Sequence, residues 1–369
     1  MSQKNILEFS LSPDLGGLEL FMVSCIDSFS KTTNLFTAIA TNKKLDNYLE
    51  KQEHKLQLKR SKLFPIIPAL KLAKYIDDNA IDIIHFHWTR DIVTAVLAKR
   101  LSKKKPLLVQ SRHMRMTRFK NDIYHKWLYK NIDIIHAVTH QVKEQLEEFI
   151  PLEVRPQIEV VHPGTSSTLI DSKELQNLRD KYNLQKSFVV GIVGRIEEAK
   201  GQFLVLEAIA KLKSLDIKAL IVGSAMSEAY LKELKAMVKD LGIEDRVIFT
   251  GFTKEVNLHI HLCDVLVLAT QEETFGLVVI EAMRNKVTIL ATNRGGPLEI
   301  IEDMQDGLLF ERNSEALAQK ISILYNDSTL KQKLALAGYH KALEKFDNNK
   351  QLTKLLKVIT SYSKKSLTS

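Results

Sequence analysis

Short apolar runs alternate with longer amphipathic stretches along most of this chain. The runs are rich in isoleucine and valine and last six to eight residues, which is typical of strands. They are apolar at successive positions rather than at every second one, which indicates strands buried on both faces of a parallel sheet. The predicted strands are 5–10, 35–40, 82–87, 106–111, 133–138, 187–194, 217–223, 246–251, 264–269 and 287–292.

The alternation of strands with helices predicts an α/β fold of two doubly wound parallel sheets. Residues 151–170 hold three prolines, a glycine and a serine and threonine cluster, which is typical of a linker. We therefore predict an N-terminal domain over 1–165, a second domain over 166–345, and a final helix and tail over 346–369. Two open α/β domains, each with a binding edge at the carboxyl ends of its strands, would form a cleft.

The composition narrows the class of protein. With 45% hydrophobic and 26% charged residues in 369, the chain is typical of a globular protein rather than a disordered or fibrous one. Two cysteines, Cys25 and Cys263, exclude a disulfide scaffold and a zinc site built from cysteines. No apolar run reaches the roughly 18–20 residues that span a bilayer, and charged residues interrupt the N-terminus, so we expect a cytoplasmic protein.

The positive charge is unevenly distributed. Lysine and arginine number 53 against 44 acidic residues, giving +9, and residues 1–165 hold 25 basic against 18 acidic residues. Residues 99–130 alone contain eleven basic residues and one acid, Asp122. Such a segment attracts lipid head groups, phosphorylated glycans or nucleic acid. The alternative is a solvated surface that aids solubility.

The stretch ATQEETFGLVVIEAM is the most specific chemical feature. Glu273 lies on the loop after a predicted strand, and Glu281 lies in the early turns of the next helix. Gly276 lets a ligand approach the backbone, and the first-turn N–H groups of Leu277 and Val278 favour an anion such as a diphosphate. Carboxylates on either side accept hydrogen bonds from sugar hydroxyls. The alternative is that Glu281 is a capping or surface residue.

Two further loops after predicted strands carry candidate ligand-binding groups. In GIVGRIEEAKG a strand ends at Gly194, and Arg195 and Lys200 follow before the next helix. Two cations there suit a diphosphate, since arginine offers a fork and lysine a point charge. The stretch RGGPLEI (294–300) holds a Gly-Gly turn that also allows close backbone approach, or is simply a strand-to-helix turn. Neither stretch is a Walker loop or a GxGxxG fingerprint.

The N-terminal half offers two candidates of the same kind. In SPDLGGLELF, Gly16 and Gly17 follow the first strand, and their peptide N–H groups are placed to reach a phosphate. The alternative is an ordinary strand-to-helix turn. His113 follows the strand PLLVQS between Arg112 and Arg115, at the carboxyl end of the predicted sheet. We interpret it as a functional rather than a structural histidine.

Several chemistries are disfavoured. His85 and His87 share one face of a strand, but no carboxylate partner is evident for a metal site. The chain lacks an Asp-x-Asp motif, so a magnesium- or manganese-chelated sugar nucleotide is not expected. It also lacks GxSxG and HExxH, which disfavours a classical hydrolase or a zinc protease.

Taken together, these motifs resemble the retaining glycosyltransferase family 4, whose GT-B fold has two Rossmann-like domains. The matching pieces are GGLE (16–19), GRIEEAKG (194–201), RVIFTGF (246–252), EETFGLVVIEAM (272–283) and GGPLE (295–299). They cover nearly the whole chain in the family's order. The chain departs from the family in having Ala269 and Thr270 where Pro-Ser is usual, HPG in place of PNG, and neither the usual glycine nor proline after EAM.

The resemblance implies roles for matching residues. Arg195 and Lys200 are implied to bind the donor diphosphate and to stabilise the leaving nucleotide. Glu273 is implied to contact the donor sugar, and His113 to lie near that sugar. The implied donor-binding residues are Gly16, Gly17, Gly194, Thr250, Phe252, Phe275, Gly276, Leu277, Val278 and Glu281. The final helix is implied to cross back onto the N-terminal domain.

The implied reaction is transfer of a sugar from a nucleoside-diphosphate sugar to an acceptor hydroxyl with retained configuration, with no metal or other cofactor. The expected acceptor is a glycan or lipid-linked molecule of lipopolysaccharide, O-antigen or capsule assembly, and the basic segment favours the anionic inner face of the cytoplasmic membrane. A non-hydrolysing sugar-nucleotide epimerase is the alternative. A nucleic-acid-binding protein is a distant one, because no helix-turn-helix or RNP motif is present, and we expect no nucleic-acid partner. The donor stays open among GDP-mannose, UDP-glucose, UDP-galactose and UDP-N-acetylglucosamine.

Overall fold

Two separate parallel sheets organise the chain in the computed structural model, which describes residues 3–41, 43–50, 52–60, 65–167 and 169–362. The first compact unit comprises the chain up to Pro163 together with the segment from Asn348 onward. The second unit is Gly164–Asp347. Each unit has its own core and is described by itself.

The first sheet has seven parallel strands within the described residues, in the order β3-β2-β1-β4-β5-β6-β7. The strands are β1 (Asn5–Ser10), β2 (Asn34–Ala40), β3 (Lys55–Leu58), β4 (Ile83–Phe86), β5 (Leu107–Arg112), β6 (Ile134–Ala137) and β7 (Gln157–Val160). In the register of the sheet, Glu8 lies opposite His85, and Ser111 lies opposite His136.

Helices cover both faces of this sheet. They are α1 (Gly17–Phe29), α2 (Lys43–Asp46), α3 (Ile66–Asp78), α4 (Ile92–Leu101), α5 (Ile123–Lys130) and α6 (His140–Phe149). Residues of α3, α4, α5 and α6 pack with one face of the strands in one core. Residues of α1 pack against the opposite face in a second core. Both faces of the central strands are therefore buried, which is why their sequences are apolar at successive positions.

The second sheet has six parallel strands within the described residues, in the order β10-β9-β8-β11-β12-β13. The strands are β8 (Phe188–Val193), β9 (Ile217–Val222), β10 (Val247–Gly251), β11 (Val265–Leu268), β12 (Thr288–Thr292) and β13 (Leu308–Phe310). Strands β8 and β11 are neighbours although about seventy residues separate them in the chain. The loops that follow these two strands therefore lie side by side.

The helices of the second unit again lie on both faces of the sheet. They are α7 (Ser172–Lys181), α8 (Gln202–Lys211), α9 (Glu228–Asp240), α10 (Val256–His261), α11 (Leu277–Arg284), α12 (Pro297–Ile300), α13 (Ser314–Asn326) and α14 (Ser328–Lys345). Residues of α8, α9 and α13 share one core, and those of α10 and α11 share another. Polar residues cap several of these helices, because first-turn amides need acceptors. Ser227 caps α9 and Asn313 caps α13.

The last helix, α15 (Asn348–Thr360), belongs to the first unit. Its buried residues Leu352, Leu355 and Ile359 share the core of α1, including Met22 and Ile26. None of the helices in the described residues is both long and apolar enough to cross a bilayer.

All ten predicted strands are confirmed to within two residues at each end, and three further strands were not predicted. β7 lies inside the stretch 151–170, so the prediction of a linker there was wrong for that segment. The three missed strands, β3, β7 and β13, each lie at an edge of a sheet. Edge strands have fewer neighbours to bury them, and β3 and β7 accordingly carry charged residues that mask the apolar pattern.

Candidate active site

The loops after β8 and β11 are joined at the carboxyl edge of the second sheet. Lys200 Nζ lies 3.1 Å from Glu273 Oε2, and both side chains are about three-quarters buried, at 25% and 21% exposure. The N–H of Gln271 also donates to the carbonyl of Ala199 at 2.8 Å. Two residues predicted from separate sequence stretches therefore form one ion pair, because their strands are neighbours in the sheet.

The loop after β8 depends on glycine at two positions. Gly194 has φ +146°, and Gly223, which directly follows the neighbouring strand β9, has φ +141°. A Cβ atom on Gly223 would lie 1.9 Å from the carbonyl oxygen of Gly194. The backbones of the two loops therefore approach each other as closely as glycine permits, which fixes the course of the chain just before Arg195.

Helix α11 begins at the same edge, immediately after Gly276. Gly276 precedes the helix with φ +98°, a conformation that favours glycine. The N–H of Gly296 donates to the carbonyl of Glu273 at 3.0 Å, and a Cβ on Gly296 would lie 2.3 Å from Phe275 Cα. The Gly-Gly turn after β12 thus packs directly on the loop that carries Glu273.

The start of α11 combines backbone donors with a carboxylate. The N–H groups of Leu277 and Val278 belong to the first turn, where a helix has no preceding carbonyl to accept from them. Glu281 lies one turn further along, half-buried, and burial raises the pKa of its carboxyl group. Within the described residues that carboxyl makes no hydrogen bond or ion pair to another side chain. An unpaired, partly buried acid beside free amides is suited to bind hydroxyl groups.

The side chain of Arg195 is 61% exposed, and its guanidinium lies 3.3 Å from Glu197. The carbonyl of Arg195 accepts from Gln202 Nε2 at 2.9 Å, which ties the backbone to α8. At the other end of the sheet edge, Thr250 is the last residue but one of β10, and Phe252 follows the strand with 73% of its surface exposed. An exposed aromatic ring at the carboxyl edge offers a stacking surface.

The ring of Phe275 is 5% exposed and packs on Phe346, with ring centroids 6.0 Å apart. Phe275 is therefore part of the core, and any ligand contact it makes must come from its backbone. Sequence reasoning missed Arg312, which follows β13 and donates from Nε to the carbonyl of Ala269 at 3.0 Å. It holds the loop that leads to Glu273.

In the first unit, Gly16 is the N-cap of α1 and Gly17 is the first residue of that helix. The N–H of Gly16 already donates to Glu19 Oε2 at 2.8 Å in a capping box. Gly16 and Gly17 were both predicted to offer their amides to a phosphate. The amide of Gly16 already donates to Glu19 within its own helix. A Cβ on Gly17 would meet no atom within 4 Å, so open space surrounds this residue.

His113 directly follows β5 at the carboxyl edge of the first sheet. Its ring meets Phe21 edge to face at 4.9 Å and lies stacked 5.9 Å from His87. Burial and nearby positive groups hold the pKa of His113 well below its usual range, so the imidazole is neutral. Its Nε2 is buried and has no partner among the described residues. A neutral imidazole with an open nitrogen is able to donate to or accept from a ligand.

A buried network that the sequence did not reveal lies beneath His113. Glu8 is fully buried, and its two oxygens accept from His85 Nδ1 at 2.8 Å and from His87 Nε2 at 2.6 Å. The chain of hydrogen bonds continues from His85 through Ser111 to His136, each step 2.7 Å long. The interpretation that the two histidines lack a carboxylate partner was therefore wrong. The signal was a glutamate in the middle of the apolar strand NILEFS.

The hydrogen bonds assign the protons in this network. His136 Nε2 lies 2.7 Å from the carbonyl of Val161 and must donate to it, while burial lowers the pKa of His136 to about 3. Neutral His136 then accepts from Ser111 through Nδ1, so the Ser111 oxygen accepts from His85 Nε2. On its other side, the Nδ1 of the same ring lies 2.8 Å from Glu8 Oε1.

Cys25 places its sulfur within 4.8 Å of ligand atoms on Glu8 and His85. Burial and the charge of Glu8 raise the pKa of this thiol well above its usual range. A protonated thiol is a poor metal ligand. We interpret the group as part of the hydrogen-bonded core.

Comparison with known proteins identifies two family models. One described as "Glycosyltransferase Family 4" matches residues 35–168, and one described as "Glycosyl transferases group 1" matches residues 174–341. The chain is 26% identical over 291 residues to an N-acetyl-alpha-D-glucosaminyl L-malate synthase of Bacillus anthracis, covering 76% of this chain and 75% of the relative. Other relatives are named for capsular polysaccharide and lipopolysaccharide core biosynthesis.

A second relative is similar along nearly its whole length. It is a Campylobacter jejuni N-acetylgalactosaminyltransferase that is named as acting on a diphospho-undecaprenol-linked sugar. The two sequences are 25% identical over 354 residues, which cover 90% of this chain and 92% of the relative. Among solved structures, Anabaena HepE in complex with UDP and glucose superposes with a TM-score of 0.83 at 21% identity, covering 98% of this chain and all of that one. The similarity in structure confirms the predicted GT-B fold.

Proposed function

Because this chain is a glycosyltransferase of the GT-B type, we propose that it transfers a sugar from a nucleoside-diphosphate sugar to an acceptor hydroxyl with retained configuration. The reaction needs no metal or other cofactor in this proposal. The expected setting is assembly of a lipopolysaccharide, O-antigen or capsule glycan, which the names of several relatives support. Binding of UDP by HepE supports a nucleotide-sugar donor.

The observation that carries the proposal is the cluster at the carboxyl edge of the second sheet. Lys200, Glu273 and the first turn of α11 lie there together, with Arg195 on the same loop as Lys200. A diphosphate needs cations and N–H donors, and a sugar needs carboxylates that accept from its hydroxyls. The cluster supplies both kinds of group. We assign the ribose hydroxyls to Glu281 and the sugar hydroxyls to Glu273.

The proposed chemistry follows from where charge develops. As the bond between the anomeric carbon and the diphosphate oxygen breaks, its electron pair stays on the diphosphate, and the sugar gains oxocarbenium character. Arg195, Lys200 and the dipole of α11 would stabilise the departing diphosphate more than the ground state. The acceptor oxygen attacks from the same face, and its proton passes to the departing diphosphate. By analogy with oxyanion donors, losing one such cation costs about 2.7–4 kcal/mol of transition-state stabilisation.

Glu273 forms an ion pair with Lys200. We propose that the donor diphosphate takes over that cation, which leaves the Glu273 carboxylate to accept from the sugar. The ion pair would thereby keep both side chains in position for the donor. The roles of Thr250 and Phe252 beside the base, and of Gly17 and His113 toward the phosphate and the sugar, remain proposals from the family resemblance.

The acceptor and location are proposed from the first unit. We propose that the chain acts in the cytoplasm and associates with the anionic inner face of the cytoplasmic membrane to reach a lipid-linked acceptor. The name of the Campylobacter jejuni relative supports an acceptor of this kind. Residues 99–130 carry eleven basic residues, and Phe119 and Ile123 within that segment are 60% and 90% exposed. Basic and exposed apolar side chains together favour an anionic lipid surface.

A thermal-shift panel of nucleoside diphosphates and sugar nucleotides tests the donor assignment. A ligand that binds the folded chain raises its melting temperature, and we expect one base to stand out. Arg195→Ala and Glu281→Ala should abolish the shift. Lys211→Ala is the matched control, because Lys211 pairs with Glu315 on the surface of α8 and α13, away from the strand-end loops. A shift of full size in Arg195→Ala and Glu281→Ala would contradict the assignment.

A further inference from the structure

A cavity of about 810 Å³ lies in the first unit, between the loop that follows β5 and the helices α4 and α5. Its lining includes Arg90, Arg112, Arg115, Arg118 and Lys120. Within the described residues, no acidic side chain lines it. The cavity therefore has a strongly positive wall, and an anion is the complementary ligand.

The buried side chain of Arg112 fixes the shape of the loop that forms this wall. Its side chain is 8% exposed and donates to the carbonyl of Met114 at 2.7 Å, to the carbonyl of Arg115 at 2.9 Å and to Thr89 Oγ1 at 2.9 Å. These three acceptors are uncharged. A buried guanidinium that meets only neutral oxygens is costly unless an anion compensates its charge. The loop is thus built around a cation whose counter-ion is not one of these partners.

The neighbouring cations repel one another. The pKa of Lys120 is lowered by burial and by the charges of Arg112 and Arg118. Asp122 also acts on Lys120, but it caps α5 and accepts from His125 through both backbone and ring. A bound anion would relieve this repulsion, which a carboxylate engaged in capping does only weakly.

Part of the remaining wall is apolar, beside the polar Thr89, Thr117 and His125. Met116, Leu128 and Tyr129 line the same cavity and are almost fully buried. Such a wall accommodates a carbon chain or sugar ring attached to the anion. The cavity therefore has cations for a phosphate and apolar surface for the organic group that carries it.

We propose that this cavity binds the phosphate or diphosphate group of the acceptor. The inference rests on the proposed function, because it names the chemistry of the molecule that receives the sugar. A phosphate offers several oxygens to the forked donors of arginine, which is the geometry that makes arginine the common ligand for such groups. A lipid and a soluble glycan can each carry such a phosphate, and both sources present the same group.

Equilibrium dialysis of the full chain with labelled inorganic pyrophosphate, in metal-free buffer, tests the proposal. We expect two binding sites, one at the donor cluster of the second unit and one in this cavity. Arg118→Gln combined with Lys120→Gln should weaken the second site by roughly tenfold to a hundredfold, since each charge-assisted hydrogen bond accounts for about tenfold. Arg118→Lys combined with Lys120→Arg keeps the charge and should retain the site.

Lys103→Gln combined with Lys130→Gln is the matched control. Both lysines are exposed, belong to the same basic segment and lie outside the cavity, so the net charge changes equally. If the control weakens binding as much as the cavity variant does, or if neither changes it, the proposal is wrong. Arg195→Gln combined with Lys200→Gln should remove only the donor site. Binding unchanged in that variant would refute the proposed donor site and leave the cavity proposal standing.

Competition distinguishes the two sources of phosphate. A polyprenyl diphosphate in detergent micelles and a hexose phosphate in solution are each added to the Arg195→Gln, Lys200→Gln variant with pyrophosphate bound. Displacement by the first supports a lipid-linked acceptor, and displacement by the second supports a soluble phosphorylated glycan. Displacement by neither would overturn the proposal, because the cavity would then not accept an organic phosphate.

Discussion

Two buried carboxyl groups in the first unit should respond oppositely to neutralisation. Glu8 and Asp91 are 0% and 2% exposed. Burial alone would raise the pKa of Glu8, but the charge of His85 and the hydrogen bonds from His85 and His87 outweigh it and lower the pKa to about 2. Burial raises the pKa of Asp91 to about 8, with only the N–H of Leu11 and the charge of Arg60 opposing it. Near neutral pH, Glu8 is therefore an anion and Asp91 mainly a neutral acid.

The substitution Glu8→Gln removes the anion and leaves the histidines buried around it. One pKa unit corresponds to about 1.36 kcal/mol, so a fall from an ordinary value near 4.5 to about 2 represents roughly 3 kcal/mol of stability carried by the charged form. Breaking a buried ion pair from one side typically costs about 3–5 kcal/mol. The two estimates agree, and we expect Glu8→Gln to lower the free energy of unfolding of the first unit by roughly 3 kcal/mol at pH 7.5.

Asp91→Asn is the matched control. Asparagine keeps an oxygen that can accept from Leu11 N–H, which lies 2.8 Å from Asp91 Oδ2. Because the folded pKa of Asp91 is raised, ionisation of this residue opposes folding as the pH rises toward 8. Removing the ionisable group should therefore leave the stability at pH 7.5 unchanged or higher.

Urea unfolding monitored by tryptophan fluorescence measures both variants. The two tryptophans, Trp88 and Trp127, lie in the first unit, so the signal reports on that unit alone. A lower urea midpoint with an unchanged slope indicates lost stability. The pH dependence of the unfolding free energy gives a second check. Because the pKa of Glu8 is lower in the folded chain than in the unfolded chain, Glu8 contributes its full stabilisation above about pH 5 and loses it as the pH falls through 4.5 toward 2. Equal losses in Glu8→Gln and Asp91→Asn would refute the assigned charges.

Two further predictions concern the strand-end loops and the membrane. Gly223→Ala should reduce stability and abolish the thermal shift with nucleotides, because the new Cβ would lie 1.9 Å from the carbonyl oxygen of Gly194. Gly17→Ala is the control, since its new Cβ meets no atom within 4 Å and the variant should fold normally. A normal nucleotide shift in Gly223→Ala would contradict the importance of the close approach between Gly223 and Gly194. In vesicle sedimentation, the chain should pellet with anionic but not with neutral vesicles and should lose binding at high salt. Equal recovery in the supernatant with both kinds of vesicle would remove the membrane proposal.

The sequence determined the strands that lie inside the sheets. β1, β4, β8 and β11 are covered by helices on both faces, so most of their positions are apolar, with Glu8 and His85 as buried exceptions, and the pattern is readily detected. The edge strands β3 and β7 bury fewer positions and carry lysine, glutamine or glutamate, so the same rule does not detect them. The loops after the central strands were also predictable, because parallel strands all present their carboxyl ends at one edge.

What only the tertiary structure decided is which distant residues share a contact. Lys200 meets Glu273 because β8 and β11 are neighbours, an order that the sequence does not state. Glu8 reaches His85 across 77 positions, and Arg112 organises the loop that follows it rather than facing solvent. The sequence does not show whether a charged residue is surrounded by water or by a buried partner. Its pKa, its protonation and its partners depend on the distance and dielectric that folding creates, which is why the buried network and the cationic cavity emerged only from the structure.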